Sequence, residues 1–460
     1  MRLKFLDRQN ERSRLTRAFS GRDGSFCCLY GRRRCGKSRL LQEVLPGSSS
    51  VYYVGDEREP NLQRASLAAS IAAVLPGFDE VTYPDWSSLF ERWYREAQKG
   101  AILVLDEFAY LVSGSRELPS IIQKLVDQYA DKTVHLVIAG SSQRMMQGLV
   151  LDAAAPLYGR AREIMEIGPL GAAWLREAFG LSRAIDVVKA YSVWGGIPRY
   201  WELALDSHSN SEAIQDLVLD PRGVLHSEPR RLLLDDLRET TQASSILSLI
   251  GGGCNRISEI ASRLEKPVTS LTRPLSRLLE IGLVSRELPF GAPSRSGKKS
   301  LYRIRDPFLA FWFRFVEPNR SRLEAGSLET VAVEIEKTIA IHQGAIWETL
   351  VRDSVPLLPI EKISWRPARR WWGAGTDRKM FEIDVAAESV DGKSLLLGEV
   401  KLTADAKASA RAIHELQNKA ARFPPARNYD RVIMKLFAAR STGQKNKILV
   451  SADDVIDVLK

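Results

Sequence analysis

A glycine-rich loop near the N-terminus carries the first residues with recognisable chemistry. Residues 31–38 read Gly-Arg-Arg-Arg-Cys-Gly-Lys-Ser and match G-x-x-x-x-G-K-[ST] at every fixed position. A short apolar run, residues 26–30, precedes the loop, and an apolar-periodic stretch, residues 40–45, follows it. Strand, loop and helix in this order direct backbone N–H groups and a helix N-terminus at phosphates. We therefore expect the loop to bind ATP, with Lys37 at the β- and γ-phosphates and Ser38 on Mg²⁺. The predicted nucleotide-binding residues of the loop are Gly31, Arg32, Arg33, Arg34, Cys35, Gly36, Lys37, Ser38 and Arg39.

Acidic and hydroxyl side chains follow two further apolar runs. Residues 101–105 read as a buried strand that ends in Asp106 and Glu107, and residues 136–140 read as another that ends in Ser141-Ser142. Polar groups at the carboxyl edge of a parallel sheet stand where the metal and the attacking water must be. We expect Asp106 to bind Mg²⁺ and Glu107 to activate water, and the alternative is a solvated acidic turn. The serines either sense the γ-phosphate or the water, or cap the strand.

Arg160 closes a Pro-Leu-Tyr-Gly-Arg segment that follows these strands. An arginine in this region can stabilise charge in the transition state, in cis or across a subunit interface. The alternative is a plain surface arginine.

A second group of charged residues lies on a hairpin near the C-terminus. Asp-Gly at 391–392 separates two β-like runs, which is a strong hairpin signal. Counting outward from this turn places Asp384 opposite Glu399 and Glu382 opposite Lys401, all on one face. Two opposed carboxylates repel each other unless a cation lies between them, and hard oxygen ligands suit Mg²⁺ or Mn²⁺. Such a metal could polarise a phosphodiester while Lys401 orients or deprotonates water. The alternative is a solvent-facing strand pair in which Lys401 bridges to Glu382.

The region between these two groups predicts a DNA-binding element. Three short helical patterns between residues 244 and 279 precede two strand patterns around a basic loop, which is the order of a winged helix. Pro274 interrupts the third helical pattern, so we expect that helix to begin only near residue 272. A winged helix used for protein contacts is the alternative. The predicted DNA contacts are Thr269, Ser270, Arg273, Arg277, Arg295, Lys298 and Lys299.

The bulk composition is consistent with these elements. The 460 residues exceed one hydrophobic core, and the net charge of +10 suits a polyanionic partner such as double-stranded DNA. No stretch approaches the roughly 18 apolar residues of a membrane span, and the four cysteines form no CxxC pair. We expect a cytoplasmic protein, and a homo-oligomer or a protein partner is compatible with the sequence.

Together these motifs, with Phe5-Leu6-Asp7-Arg8 and Gly195-Gly196-Ile197-Pro198-Arg199-Tyr200, resemble the archaeal-type ATPases, which belong to the AAA+ and STAND-like P-loop ATPases. The resemblance implies that Asp7 and Arg8 lie near the adenine and that Arg199, in a helical lid, senses bound nucleotide. The C-terminal pattern resembles the PD-(D/E)xK nuclease fold. That resemblance implies Asp384 and Glu399 as metal ligands, Lys401 as the catalytic lysine and Glu348 as a further acidic contributor.

The predicted fold class is multidomain α/β. We expect a P-loop parallel-sheet ATPase core at residues 1–180, a helical lid at 181–238, a winged helix and connector at 239–318, and a restriction-endonuclease-like α/β domain at 319–460. The leading functional hypothesis is an ATP-hydrolysing, DNA-associated protein with a Mg²⁺-dependent nuclease-like domain. The alternative is a nucleotide-controlled STAND-like switch that binds DNA or protein and whose nuclease-like domain is inactive.

Overall fold

A computed structural model of the protein describes residues 3–47, 49–141, 143–237, 240–293, 297, 299–441 and 447–460. The chain forms two compact units, residues 6–169 and residues 170–460 together with the first five residues. The division therefore falls before the boundary predicted at residue 180. The predicted lid, winged helix and C-terminal domain all lie in the second unit.

The first unit is built on a five-stranded parallel sheet of order β2-β3-β4-β1-β5. Strands β1, β3 and β4 are buried along their whole length, as expected for a parallel sheet covered on both faces. Their carboxyl ends meet at one edge, where the sequence placed the glycine loop, the acidic pair and the serines. The elements are α1 (Gln9–Phe19), β1 (Ser25–Tyr30), α2 (Lys37–Val44), β2 (Ser50–Val54), α3 (Pro60–Ala72), α4 (Trp86–Glu96), β3 (Ala101–Asp106), α5 (Phe108–Gly114), α6 (Leu118–Gln128), β4 (Val134–Gly140), α7 (Gln143–Val150) and β5 (Glu163–Glu166).

The second unit begins with a group of helices that corresponds to the predicted lid. Most residues of α9 are buried, and Gly195 ends this helix with a positive φ of 56°. Pro198 then starts α10 at the position where a missing N–H costs least. The elements are α8 (Trp174–Phe179), α9 (Ala184–Trp194), α10 (Pro198–Ala204), α11 (Asn210–Ile214), a π-helix (Gln215–Leu219) and α12 (Glu228–Asp236).

Three helices and an antiparallel hairpin follow, and we call residues 240–304 the helix–hairpin segment. Its order is the one that predicted a winged helix. The predicted start of the third helix near residue 272 was wrong, because α15 begins at Val268 and contains Pro274. Buried Leu271, Leu275 and Leu278 on one face hold this helix despite the missing N–H. The elements are α13 (Thr240–Gly251), α14 (Ile257–Arg263), α15 (Val268–Glu280), β6 (Val284–Glu287) and β7 (Leu301–Ile304).

The C-terminal part contains a five-stranded mixed sheet of order β12-β11-β10-β9-β8. The predicted hairpin register is confirmed, because Gly398 pairs with Val385 and Leu395 with Glu388. The turn is wider than Asp391-Gly392 alone, since β9 ends at Glu388 and β10 begins at Ser394. The elements are α16 (Pro307–Phe311), a π-helix (Trp312–Val316), 3-10 turns (Glu317–Asn319, Val355–Leu357, Ile360–Lys362, Pro424–Asn428), α17 (Arg320–Glu324), α18 (Leu328–Ser354), β8 (Arg369–Ala374), β9 (Met380–Glu388), β10 (Ser394–Ala404), α19 (Ala406–Arg422), β11 (Arg431–Ser441), β12 (Leu449–Ser451) and α20 (Ala452–Asp457).

Helices of the lid pack directly on the C-terminal domain within the second unit. Helix α9 contacts α16, α18, α20 and β11. Within the described parts of the chain, no helix has both the length and the apolar composition needed to cross a bilayer.

Candidate functional site

The glycine loop joins β1 to α2 in a conformation that its two fixed glycines allow. Gly31 has φ 145°, and a Cβ atom there would lie 2.3 Å from the carbonyl oxygen of Ile167. Gly36 has φ 92° and precedes the first turn of α2. The positive φ favours glycine at both positions, and at Gly31 a side chain would also clash with Ile167. The N-terminus of α2 lies directly behind the loop, as the phosphate-binding motif requires.

Lys37 lies inside this loop and not in solvent. Its side chain is buried, and the Nζ atom donates to the carbonyl oxygens of Gly31 at 2.6 Å and Arg32 at 3.1 Å. Burial lowers the pKa of the ammonium group, and the nearby carboxylates of Glu107 and Asp106 oppose that effect. The predicted phosphate-binding charge is thus positioned by the loop's own carbonyls.

Oxygen atoms of side chains from α2, β2 and β3 converge next to Lys37. The Ser38 Oγ donates to Asp106 Oδ2 at 2.7 Å, and the hydroxyl of Tyr52 donates to the same oxygen. The other oxygen, Oδ1, accepts from the backbone N–H of Glu107 at 2.9 Å. A hydroxyl and a carboxylate in contact form the hard-oxygen set that suits Mg²⁺, so these residues fit the predicted ion.

Tyr52 was not identified from the sequence. It lies on β2, whose residues pair with β3, and Val54 is opposite Asp106 in the ladder. Burial and the neighbouring Asp106 carboxylate raise the pKa of Tyr52, so the hydroxyl stays protonated as a donor. No motif marks this residue, because its role depends on the order of strands in the sheet.

Glu107 is held by the end of the neighbouring strand. Its backbone is left-handed, with φ 48°, and its Oε2 accepts from the Ser141 Oγ at 2.8 Å. The guanidinium of Arg33 lies within 3.4 Å of the same hydroxyl and donates to Tyr110 at 2.9 Å. Ser141 therefore contacts the residue predicted to activate water. Ser142, predicted with it, lies outside the described residues.

Arg8 connects the N-terminal segment to the loop. Its buried guanidinium donates to the carbonyl oxygens of Cys35, at 3.3 Å, and Gly168, and pairs with Glu11 at 3.2 Å. Asp7 and Arg8 both have positive φ, 59° and 69°. The structure thus brings Arg8 to the phosphate loop, and the contact with adenine stays a prediction.

Arg160 is not brought to this loop. Arg160 donates to both carboxylate oxygens of Asp127 at 2.8 to 3.0 Å, and it lines a cavity of about 400 Å³ with Ser25 and Val134. Ser25 and Val134 begin β1 and β4, so Arg160 lies at the edge of the sheet opposite the phosphate loop. This position does not support a role in cis, and a role in trans stays a prediction. Arg199 belongs to the second unit and pairs with Glu202 at 3.1 Å, and its role as a nucleotide sensor stays a prediction.

Comparison with known proteins identifies the relationship. Residues 5–203 match the model of an ATPase domain found predominantly in Archaea, and residues 312–413 match a family of archaeal and bacterial proteins of unknown function. The uncharacterized protein MJECL04 of Methanocaldococcus jannaschii is 30% identical over 406 residues, which is 86% of this chain and 87% of that protein. The chain belongs to this family of archaeal-type P-loop ATPases. The Walker-type ATPase PABY2304 of Pyrococcus abyssi shares the fold, with a TM-score of 0.54 and 19% sequence identity. The match covers 67% of this chain and 96% of the Pyrococcus abyssi chain.

The C-terminal carboxylates of this ATPase are close together, as the register predicted. Asp384 is buried and its Oδ2 accepts from the backbone N–H of Val400 at 2.9 Å. Glu399 is also buried, and its Oε1 accepts from Lys401 at 2.9 Å while its Oε2 accepts from Lys419 at 2.7 Å. Burial, followed by the carboxylates of Glu399 and Glu348, raises the pKa of Asp384 to about 6.

These residues do not fit a divalent cation in the arrangement that they adopt. Both oxygens of Glu399 are taken by ammonium groups. Glu348, the further acid, lies 3.5 Å from the guanidinium of Arg352, which also donates to the backbone oxygen of Asp384 at 3.3 Å. Among the residues that the structure describes, no group of three or more His, Cys, Asp or Glu side chains could hold a metal ion.

The pairing of Lys401 also differs from the alternative drawn from the sequence. Lys401 pairs with Glu399 and not with Glu382, which pairs with Arg370 at 2.5 Å. Lys419 was missed altogether, because it lies on α19 and no pattern in the sequence relates it to β10.

The predicted DNA contacts on α15 are accessible. Thr269, Ser270 and Arg273 are exposed, and Arg277 is half-buried. Lys299, in the loop between β6 and β7, is exposed as well. Arg295 and Lys298 lie outside the described residues.

The hairpin that carries this loop is attached to the C-terminal domain. Phe290, just after β6, donates its backbone N–H to the carbonyl oxygen of Arg370 at 2.8 Å, and its ring packs on the core that contains Phe423. Glu287 pairs with Arg303 at 3.1 Å and lies 3.8 Å from Arg352 on α18. The helix–hairpin segment and the C-terminal domain are therefore joined by both apolar and charged contacts.

Proposed function

We propose that this P-loop ATPase hydrolyses ATP with Mg²⁺ and uses the nucleotide state to control a DNA-binding segment. The observation that carries the catalytic part is the contact between Ser38 and Asp106 at 2.7 Å, beside the buried Lys37. Their location at the carboxyl edge of a parallel sheet supports this proposal, because the metal and the attacking water of a P-loop hydrolase lie at that edge.

Each residue of the site has a role that follows from its chemistry. Lys37 and the N-terminus of α2 hold the phosphates, and Ser38 with Asp106 would hold Mg²⁺, which neutralises charge on the phosphate oxygens when bound. Glu107 orients the attacking water and accepts its proton. Ser141 restrains the Glu107 carboxylate at 2.8 Å, so it determines where that carboxylate points.

DNA association rests on the helix–hairpin segment. The exposed side chains of Thr269, Ser270 and Arg273 lie on the third helix of a three-helix and hairpin order, which places that helix in the major groove in winged helices. The net charge of +10 adds sequence-independent attraction to phosphates.

Control by nucleotide rests on the packing inside the second unit. Helix α9 of the lid contacts α18 and α20, and the hairpin is attached to the same C-terminal domain through Phe290. A movement of the lid would therefore carry the DNA-binding segment with it. This is the switch hypothesis drawn from the sequence.

The experiment measures ATP hydrolysis and DNA affinity in parallel. Wild type should release phosphate and should bind a labelled duplex with affinities that differ between a non-hydrolysable ATP analogue and ADP. Lys37→Ala should lose hydrolysis and the nucleotide-dependent difference, whereas Arg273→Ala should keep hydrolysis and reduce the salt slope of DNA binding by about 1. Equal DNA affinity in both nucleotide states would refute the switch, and hydrolysis by Lys37→Ala would refute the assigned site.

The Mg²⁺-dependent nuclease predicted from the sequence is the second candidate, and it requires Lys401 and Lys419 to release the oxygens of Glu399 before a metal binds. Two observations favour it. Asp384 faces Glu399, and Lys401 contacts Glu399. Along the chain, α18 is followed by β8, β9 and β10 and then by α19 and β11. Supercoiled plasmid incubated with Mg²⁺ or Mn²⁺ tests it. Cleavage that disappears in Asp384→Ala would establish this activity, and intact plasmid under all conditions would leave the C-terminal domain as a binding module.

A further inference from the structure

The carboxylate of Glu399 lies between two lysines from different elements. Its Oε2 is 2.7 Å from the Nζ of Lys419 on α19, and its Oε1 is 2.9 Å from the Nζ of Lys401 on β10. Both distances are those of charge-assisted hydrogen bonds. The side chain of Glu399 is 5% exposed, that of Lys419 is 19% exposed and that of Lys401 is 41% exposed. Lys419 is thus the more enclosed of the two cations.

The two lysines supply the charge that a divalent cation would otherwise supply. Asp384 and Glu399 together carry two negative charges when ionised, and the two ammonium groups carry two positive charges. The sequence predicted repulsion between these carboxylates, and the protein's own side chains relieve it. A metal entering beside them would meet two like charges and a carboxylate whose oxygens are already occupied.

The other nearby carboxylates do not replace Glu399 as metal ligands. One oxygen of Asp384 accepts from the N–H of Val400, and Glu348 lies next to Arg352. Among the described residues, no group of three or more acidic, histidine or cysteine side chains could hold a metal ion. A Mg²⁺ ion bound here would have to draw most of its oxygen ligands from water.

We propose that Lys419 acts as a built-in cation that closes this site to divalent metals. The C-terminal domain then keeps a pair of facing carboxylates without binding Mg²⁺ or Mn²⁺. Removing Lys419 should open the site, because Glu399 would regain a free oxygen and Lys401, which is more exposed, can turn towards solvent. The inference concerns the C-terminal domain alone and does not depend on ATP hydrolysis.

Titration of the full chain with Mn²⁺, followed by the electron paramagnetic resonance signal of the free ion, tests the proposal. The parent protein carries Ser38→Ala and Asp106→Asn, so that the phosphate loop does not contribute. We expect the parent to show weak binding and the added Lys419→Ala change to tighten Mn²⁺ binding at least about tenfold. Lys407→Ala, an exposed lysine of the same helix, is the matched control and should behave like the parent.

Two further variants identify the site. Lys419→Arg retains a cation and should behave like the parent, whereas adding Asp384→Asn to Lys419→Ala should remove the gained binding. Tight Mn²⁺ binding by the parent that is lost in Glu399→Gln would overturn the proposal, because the metal would then displace the lysines. So would a Lys419→Ala protein that melts like the parent and binds Mn²⁺ no more tightly. ATPase activity, measured with Ser38 and Asp106 intact, reports separately on the proposed function.

Discussion

His342 connects α18 of the C-terminal domain to α9 of the lid. Its Nε2 lies 2.7 Å from the backbone carbonyl oxygen of Ser192, and the ring is buried between Phe311 and Phe315 at centroid distances of 6.0 and 5.7 Å. Burial lowers the pKa of this histidine to about 4, the contact with Ser192 opposes that effect, and Arg314 adds to it. The folded protein therefore favours the neutral ring, which donates its N–H to the carbonyl.

The sign of the pH dependence follows from this lowered pKa. Above the unfolded value of about 6.5 both states hold a neutral ring, so the contribution to stability is fully present. As pH falls from about 6.5 towards 4, the unfolded state binds the proton first and the free energy of unfolding falls. A lowering of the pKa from its ordinary value of 6.5 to about 4 corresponds to a loss of about 2 kcal/mol in unfolding free energy at pH 5 and about 3 kcal/mol at pH 4.

His342→Gln isolates this effect, because glutamine donates to the same carbonyl and does not titrate. Urea unfolding followed by circular dichroism at pH 7, 6 and 5 gives the difference in unfolding free energy between wild type and variant. Between pH 7 and pH 5 we expect the unfolding free energy of wild type to fall by about 2 kcal/mol relative to that of the variant. His414→Gln, at an exposed histidine of α19, is the matched control for this type of substitution. A pH-independent difference for His342→Gln would refute the assigned burial and contact.

Two further predictions concern the phosphate loop and the hairpin. Gly31→Ala should abolish detectable binding of a fluorescent ATP analogue, because the residue has φ 145° and the new Cβ would lie 2.3 Å from the carbonyl oxygen of Ile167. Gly47→Ala, where a Cβ would meet open space, is the control. Normal binding by Gly31→Ala would contradict the loop geometry. Phe290→Ala should lower the free energy of unfolding by about 2 kcal/mol, because it removes a ring that packs on the C-terminal core. Lys299→Ala, at an exposed residue of the same loop, is the control and should change this free energy by less than about 0.5 kcal/mol. Unfolding curves for Phe290→Ala that match wild type would show that the hairpin is not attached as described.

Several parts of the site could be derived from local sequence patterns. The glycine loop and Asp106 each follow an apolar run, and parallel strands present their carboxyl ends at one edge, so the contact between Ser38 and Asp106 was predictable. The opposition of Asp384 and Glu399 was predictable too, because a hairpin's register is set by its turn and by alternation along each strand. In both cases a known rule, either the common edge of parallel strands or the register of a hairpin, gives the relative position of the residues from their spacing in the sequence.

Other features were decided only by the tertiary structure. Tyr52 reaches Asp106 because β2 lies beside β3, Arg160 lies at the far edge of the sheet because its segment returns to the start of β1, and Lys419 reaches Glu399 because α19 packs on β10. Pro274 lies inside α15 because three buried leucines of that helix contribute more than one missing hydrogen bond costs.

The amino-acid sequence by itself thus determined the nucleotide-binding loop, its acidic partner and the facing carboxylates, since each depends on residue type and local spacing. The tertiary structure alone decided which cation meets Glu399. That pairing depends on how a helix packs against a strand, and no periodicity along the chain encodes the distance between two side chains brought together by packing.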